Sequence, residues 1–419
     1  MNLLFKAGGG LFALLLTAGT ISAFKSTAVV QKGNAGLAME TIEDKANLPQ
    51  RIKDNQLPPV IPYESKGDLA VDAYKNVQVL GHLTTGQMTG LMNAMALWVA
   101  PNDGGCAYCH APLRDATGKV VKSADGTTQV DPNNLQSDEL YAKRVARRML
   151  EMTLRINGDW KQHVQGTGVT CYTCHRGNPV PKYIWFDQPE SDPEGMLGYN
   201  ANQNSPAAVA GVTSLPGDAL QTFLETDENI RIQSTHAVDD GNRASIKQAE
   251  WTYALMIHMS NALGVNCTYC HNTRSMGEWS TSPATRAQAW YGIRMVRELN
   301  GQYLLPLARN GTLPANRLGS FGDGPKVNCA TCHQRAYKPL LGQSLLGDYP
   351  MLAQAMPQPA KTVVAAASAA ASATNEPPAS PAEPVAVPPQ ASAVPAPSAT
   401  PASSQPTHPA PSRSNPPRP

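Results

Sequence analysis

Four copies of the sequence Cys-x-x-Cys-His account for all eight cysteines of this 419-residue chain. Two thiols at positions i and i+3 can form thioethers to the two vinyl groups of one porphyrin, and the next residue, His, can then bind the iron. The sequence therefore predicts four covalently bound c-type haems. The predicted attachment residues are Cys106, Cys109, Cys171, Cys174, Cys267, Cys270, Cys329 and Cys332. The predicted proximal iron ligands are His110, His175, His271 and His333.

Other uses of paired cysteines explain the pattern less completely. Zinc ribbons use Cys-x-x-Cys units but would leave four histidines at identical offsets without a role. A redox dithiol of the thioredoxin type needs a βαβ context, which is not visible around these motifs. Four disulfides are compatible with an oxidising compartment, but they do not require a histidine after every second cysteine.

The two ends of the chain differ in composition from its middle. An uncharged run from Ala7 to Phe24 lies between Lys6 and Lys25, which predicts export through a membrane helix that stays as an anchor or a signal peptide that is cleaved. We favour the uncleaved anchor, over residues 1–25. Residues 354–419 are almost wholly Pro, Ala, Ser, Val, Thr and Gln, which predicts a disordered tail. The cytochrome domain is then 26–353. The net charge of +2 gives no reason to expect a nucleic acid partner.

The middle of the chain repeats itself. Motifs one and three have Tyr before the second cysteine, motifs two and four have Thr, and the paired motifs are 161 and 158 residues apart. We therefore predict two pseudo-symmetric two-haem modules, 26–200 and 201–353, in a mainly α-helical fold with long irregular loops. Gly158 and Gly301 are expected to follow helix C-termini. The predicted helices are Thr84–Val99, Ser137–Asn157, Ile246–Leu263 and one that opens at Thr281-Ser282-Pro283.

Pairs of methionines three residues apart lie on these helices, and methionine is a common sixth ligand of a haem that only passes electrons. From the residues alone, each pair contains one candidate ligand and one core residue. The pairs are Met92 and Met95, Met149 and Met152, and Met256 and Met259. By the duplication, Met295 would be the counterpart of Met149 at the fourth haem.

Several longer strings are similar to the tetrahaem cytochrome subunit of purple-bacterial photosynthetic reaction centres. They lie between about residues 70 and 350, and they are Val145–Thr153, Gly168–Gly177, Leu263–Cys267, Gly292–Arg297 and Lys338–Gly342. In that family three haems have Met/His ligation and one has His/His ligation. The resemblance implies Met92, Met149 and Met256 for the first three haems, with one extra glycine before Cys106 leaving Met95 as an alternative to Met92. For the fourth haem it implies His163, eight residues before Cys171, and makes Met295 a packed residue.

The resemblance also implies a function. The protein would be an electron carrier and not an enzyme, on the periplasmic face of the photosynthetic membrane. It would accept electrons from a soluble c-type cytochrome or a high-potential iron–sulfur protein, and would re-reduce the bacteriochlorophyll pair of the reaction-centre core subunits. Many members carry a lipidated cysteine after the signal, which this chain lacks, so the uncleaved helix is the expected anchor.

Alternatives from other classes are a respiratory membrane-anchored multihaem cytochrome, a quinol-oxidising multihaem protein and a nitrite reductase. A quinol-oxidising protein of this kind would be expected to be rich in histidine. Four of the nine histidines here belong to the motifs, so only five remain for other roles. A reductase would need a haem without a sixth protein ligand, or a lysine in place of a motif histidine.

Overall fold

A longer helix precedes each of the four Cys-x-x-Cys-His motifs. The computed structural model describes residues 27–31, 40–188, 208–211, 215–230 and 246–353, and the described residues all fall in one compact unit, Met1–Gln358. The predicted N-terminal anchor and C-terminal tail lie outside the described residues. The helices are α1 (Leu48–Asp54), α2 (Ala70–Ala73), α3 (Thr85–Val99), α4 (Tyr141–Asp159), α5 (Lys161–Val164), α6 (Cys171–His175), α7 (Ala219–Leu224), α8 (Ile246–Leu263), α9 (Thr285–Glu298), α10 (Leu305–Arg309) and α11 (Cys329–His333).

Helix α3 begins and ends where the sequence predicted. The Thr84 hydroxyl accepts a hydrogen bond from the backbone N–H of Gln87 at 3.2 Å, and the Gln87 side chain accepts one from the N–H of Thr84 at 3.0 Å. This capping box satisfies two backbone donors that a helix N-terminus leaves free. The helix buries Leu91 and Trp98. Helix α8 also has the predicted bounds.

Helix α4 begins four residues later than predicted, because the residues before it are bound by other side chains. Ser137 caps no helix, and its carbonyl accepts from Lys143 Nζ at 2.8 Å. The Asp138 carboxylate pairs with Arg147 at 2.7 Å. Ser137 and Asp138 are therefore bound by side chains of the helix itself and do not form its first turn.

Both predictions of a glycine just past a helix C-terminus are wrong. Gly158 lies inside α4, which ends at Asp159. Gly301 lies inside a π-helical segment, Leu299–Leu304, that joins α9 to α10 and continues the helix to Arg309. In both cases the preceding residue, Asn157 or Asn300, is buried and anchors the helix by side-chain hydrogen bonds, so the chain does not turn away there.

The core has two large hydrophobic clusters. One contains Ile156, Leu255, Ile293 and Leu299, from α4, α8, α9 and the π-helical segment. The other contains Leu91 and Trp98 of α3 together with Leu345, Tyr349 and Leu352 from the end of the described chain. The Trp98 and Tyr349 rings meet edge to face, with their centroids 4.7 Å apart. The last described residues therefore pack against the first half of the molecule.

Little of the described chain is β-structure. An antiparallel pair, β1 (Thr27–Gln31) and β2 (Glu40–Asp44), is present, and the segment after the first motif folds back on itself through the isolated bridges Pro112↔Val130, Arg114↔Val120 and Lys122↔Thr128. The prediction of a mainly helical fold with long irregular connections is confirmed. No helix in the described part of the chain is long and apolar enough to span a membrane. Short 3₁₀ turns occur at Lys45–Asn47, Gly105–Tyr108, Ala208–Ala210, Cys267–Tyr269, Ala315–Arg317, Pro339–Gly342 and Pro350–Leu352.

Candidate haem-binding sites

Each Cys-x-x-Cys-His motif forms a single helical turn. Motifs two and four are the short α-helices α6 and α11. In both, the motif threonine hydroxyl, of Thr173 or Thr331, accepts a hydrogen bond from the backbone N–H of the residue before the motif. Asn328 also caps α11 through its side chain, whereas Thr170 accepts from Thr173 through its backbone carbonyl. Motifs one and three are 3₁₀ turns. Residues three apart on a helical turn share one face, so each turn presents its two thiols on the same side.

Every motif histidine has its Nδ1 atom bound to a backbone carbonyl. The distances from Nδ1 to oxygen are 3.3 Å for His110 to Leu135, 2.9 Å for His175 to Asn178, 2.9 Å for His271 to Met276 and 2.9 Å for His333 to Ala336. Because a carbonyl only accepts, Nδ1 is the protonated nitrogen, and Nε2 carries the free lone pair that a metal needs. Burial lowers the pKa of all four imidazoles, which keeps them neutral.

His163 has the same arrangement and faces the fourth motif. It lies on α5, and its Nδ1 donates to the carbonyl of Gln288 on α9 at 2.9 Å. The ring centroids of His163 and His333 are 6.0 Å apart. Two metal–imidazole bonds of about 2 Å each, with about 1.1 Å from each nitrogen to its ring centre, span about 6 Å. The separation of the two rings therefore equals the span that one iron between two imidazoles needs.

One cavity of about 150 Å³ brings together the groups predicted for the fourth haem. Cys329, Cys332, His333 and His163 all line it, and most of its other walls are apolar. Met295 lines the same cavity and is 7 % exposed. These residues fit a covalently attached porphyrin with histidines on both sides.

The methionine pairs lie against the core beside the motifs. Met92 and Met95 both pack against the cluster around Trp98, so both stay candidates for the first haem. Met149 packs against the cluster around Ile293, as does Met256. Met259 lines the cavity of the fourth motif and also packs against the cluster around Ile293.

Motifs two and four repeat the same local structure. The Asn157 side chain binds both the N–H and the C=O of Val169, two residues before motif two, at 2.7 and 2.9 Å. The Asn300 side chain binds the N–H and C=O of Val327, two residues before motif four, at 2.8 and 3.0 Å. Each asparagine also donates to a more distant carbonyl, that of Leu352 or Leu224. The duplication seen in the sequence therefore extends to these side-chain contacts.

Helices α6 and α11 lie against each other, and this places two motif cysteines in contact. Cys174 and Cys332 form a disulfide, with their Cα atoms 4.5 Å apart. This differs from the sequence-based prediction of a thioether at each sulfur, because one sulfur cannot form both bonds. Haem attachment at motifs two and four therefore requires this pair in its reduced form.

A partly buried arginine contacts both of these motifs. Arg176 follows motif two, and its guanidinium donates to the carbonyls of Thr173 at 3.0 Å and Cys332 at 2.9 Å, to the carbonyl of Asp54 and to Asn55 Oδ1 at 3.3 Å. All four acceptors are neutral. Burial lowers the pKa of Arg176 to about 10. Nothing in the local sequence Cys-His-Arg-Gly indicates that this arginine contacts a second motif.

The remaining histidines have other environments. His82 is exposed. His258 is buried and its Nδ1 donates to Val209 at 3.2 Å, while its Nε2 atom has no hydrogen-bond partner among the described residues. His236 and His408 lie outside the described residues.

Comparisons with known proteins agree with these observations. The family described as photosynthetic reaction centre cytochrome C subunit matches residues 24–353. A photosynthetic reaction center cytochrome c subunit of Rubrivivax gelatinosus is 46% identical over 343 residues, covering 81% of this chain and 86% of the relative. That of Thermochromatium tepidum is 44% identical over 324 residues, covering 77% and 74%. That of Roseobacter denitrificans is 37% identical over 342 residues, covering 78% and 86%.

Proposed function

This chain belongs to the family of photosynthetic reaction centre cytochrome c subunits, and from that membership we propose how its residues carry electrons. It binds c-type haem covalently and transfers electrons to the reaction centre on the periplasmic face of the photosynthetic membrane. Its relatives do not favour a respiratory role. The proposal concerns the number of haems, their ligands, the donor and the anchor.

The protein holds four haems through its eight motif cysteines. Haem, when bound, supplies a one-electron ferric–ferrous couple. His110, His175, His271 and His333 bind from one side through Nε2, each fixed by its backbone carbonyl. On the other side we assign Met92, with Met95 as the alternative, then Met149 and Met256, and His163 at the fourth site.

The observation that carries this assignment is the opposition of His163 and His333 at 6.0 Å. Imidazole stabilises ferric iron relative to the thioether of methionine. The fourth site therefore has the lowest potential, and the three Met/His sites have higher potentials. With both axial positions filled by side chains, none of the sites offers an open position to a substrate, which supports an electron carrier and not an enzyme.

The packing of α6 against α11 supports direct transfer between the second and fourth sites. The abutting second cysteines, Cys174 and Cys332, would bring the two porphyrin edges close together. We propose two two-haem modules, 26–200 and 201–353, with an N-terminal membrane anchor over 1–25 and a tail over 354–419. The electron donor is a soluble c-type cytochrome or a high-potential iron–sulfur protein.

The ligand assignment is tested by mass spectrometry and redox titration of the purified haem-loaded protein. The mass should exceed that of the mature chain by four haems, and the titration should show three higher-potential components and one lower. In His163→Met, the lowest component should rise and join the others. Carbon monoxide should not bind to the reduced wild-type protein. A component that binds carbon monoxide would instead support an enzyme with an open iron site.

A further inference from the structure

Helix α9 carries a glycine at the point where it meets the His163 ring. A Cβ atom placed on Gly292 would lie 2.5 Å from Cε1, 2.8 Å from Nδ1 and 3.1 Å from Nε2 of His163. The imidazole therefore lies directly against the helix backbone. One turn earlier on the same helix, the Gln288 carbonyl accepts the hydrogen bond from Nδ1.

This glycine has no explanation within the helix itself. Its backbone is helical and its φ is not in the left-handed region, so alanine would fit the helix conformation. Glycine is the least favourable residue in a helix interior after proline. A second glycine, Gly301, lies in the adjoining π-helical segment, and a Cβ there would meet nothing within 4 Å. The three atoms nearest to a Cβ at Gly292 all belong to His163, so the histidine makes the tightest contact there.

We propose that Gly292 is a positioning residue for His163, and that with the Gln288 carbonyl it forms a seat that fixes the imidazole for iron binding. This proposal rests on the assignment of His163 as an iron ligand. The carbonyl sets which nitrogen carries the proton, and the bare backbone at Gly292 sets how near the ring lies to α9. Together they direct Nε2 towards His333.

A methyl group at position 292 removes one of these two contacts. Carbon atoms in contact lie about 3.5–4.0 Å apart, so the ring would have to move by about 1 Å from a Cβ placed at 2.5 Å. A metal–imidazole bond of about 2 Å cannot lengthen by that amount and persist. The Gln288 hydrogen bond would be broken or bent by the same movement. The fourth haem then loses its sixth ligand in a large fraction of the molecules.

The test uses Gly292→Ala in the full-length, haem-loaded protein, with Gly301→Ala as the matched control. Low-temperature electron paramagnetic resonance measures the spin state of each haem, and carbon monoxide difference spectra measure open iron sites. In Gly292→Ala we expect one haem of four to become high-spin and to bind carbon monoxide, with a rise in the lowest potential. The other three haems serve as internal references. Gly301→Ala should match the wild type.

A double variant separates a displaced ligand from a damaged helix. Methionine at position 163 has no ring to collide with a methyl group, so His163→Met should give the same spectrum with glycine or alanine at 292. Recovery of a fourth low-spin haem in the double variant would support the proposal. If Gly292→Ala alone keeps four low-spin haems, or if the double variant fails as the single one does, Gly292 does not position His163.

One further variant, His163→Ala, separates a failure of the positioning proposal from a failure of the assignment of His163 as an iron ligand. His163→Ala should release one haem to the high-spin form, and added imidazole should restore it. If His163→Ala leaves four low-spin haems with unchanged potentials, His163 is not an iron ligand. If His163→Ala releases a haem but Gly292→Ala does not, the assignment holds and the positioning role is refuted.

Discussion

Replacing Arg176 with glutamine should lower the potentials of the second and fourth haems. Its guanidinium is a partly buried positive charge that contacts both motifs, and all of its hydrogen-bond acceptors are neutral. Such a charge disfavours the ferric state of nearby iron and so raises the potential. Glutamine is already present at the equivalent position of the other motif, since Gln334 follows His333 as Arg176 follows His175. Gln334 is also buried, and it donates to the Thr331 carbonyl as Arg176 donates to that of Thr173.

The magnitude follows from the distance between the charge and the iron. The guanidinium lies 2.9 Å from the carbonyl of Cys332, the residue before the ligand His333. Adding the imidazole and one iron–nitrogen bond gives about 10 Å to the fourth iron. At an effective dielectric constant of about 20, one charge at that distance contributes about 1.7 kcal/mol, or about 70 mV for a one-electron couple.

The assay is a spectroelectrochemical titration of the α-bands of the purified complex, with Arg144→Gln as the control for an exposed arginine. Two of the four components should fall by several tens of millivolts in Arg176→Gln, and none should move in the control. A titration in which all four components stay within about 10 mV of the wild type would refute the reasoning. So would a shift confined to the first and third haems.

Three further predictions concern stability and potential. Asn157→Ala and Asn300→Ala should each destabilise the fold by about 2–3 kcal/mol in thermal or denaturant unfolding, since buried backbone groups lose their partners; equal unfolding midpoints would contradict this. The pKa of Asp138 is lowered to about 2, mainly by its hydrogen bond from Arg147, so its carboxylate stabilises the fold above about pH 4, by about 1 kcal/mol at most. That stabilisation is lost as the pH falls through about 2. Acid unfolding of Asp138→Asn, followed by the free energy of unfolding against pH, should not show this loss. Burial lowers the pKa of His271 and the charge of Arg286 lowers it further, so Arg286→Gln should lower the potential of the third haem, by roughly 50 mV; an unchanged third component would contradict this.

The local chemistry of this protein could be predicted from sequence because it is local in the chain. The motif spacing specifies two thiols on one turn and a histidine after them, and the structure forms these turns. Helix α3 has its predicted bounds because Thr84 and Gln87 are three residues apart and make their capping bonds without help from distant residues.

The sixth ligand that we propose for the fourth haem could not be derived from local sequence. The internal duplication predicted Met295 as this ligand, whereas the family resemblance implied His163. Both residues line the cavity beside His333. The His163 ring opposes His333 because α5 packs against α9, a contact between residues more than 100 apart in the chain. Periodicity in one segment carries no information about such a contact.

The wrong helix ends have a similar cause. A glycine after a periodic segment is a common C-terminal signal. At Gly158 and Gly301, however, the neighbouring asparagines bind the chain that leads into the next motif, and these long-range bonds hold the helix beyond the glycine. The burial of Arg176 is likewise set by Asp54 and Asn55, more than 100 residues away.

The central claim is that this protein carries electrons to the photo-oxidised pigment of the reaction centre through its own haems. It is tested most directly by flash-induced absorbance changes in membranes that contain the protein. We predict that haem α-band oxidation follows the flash within microseconds and matches the re-reduction of the bacteriochlorophyll pair. Haems that titrate normally but never respond to the flash would contradict the claim.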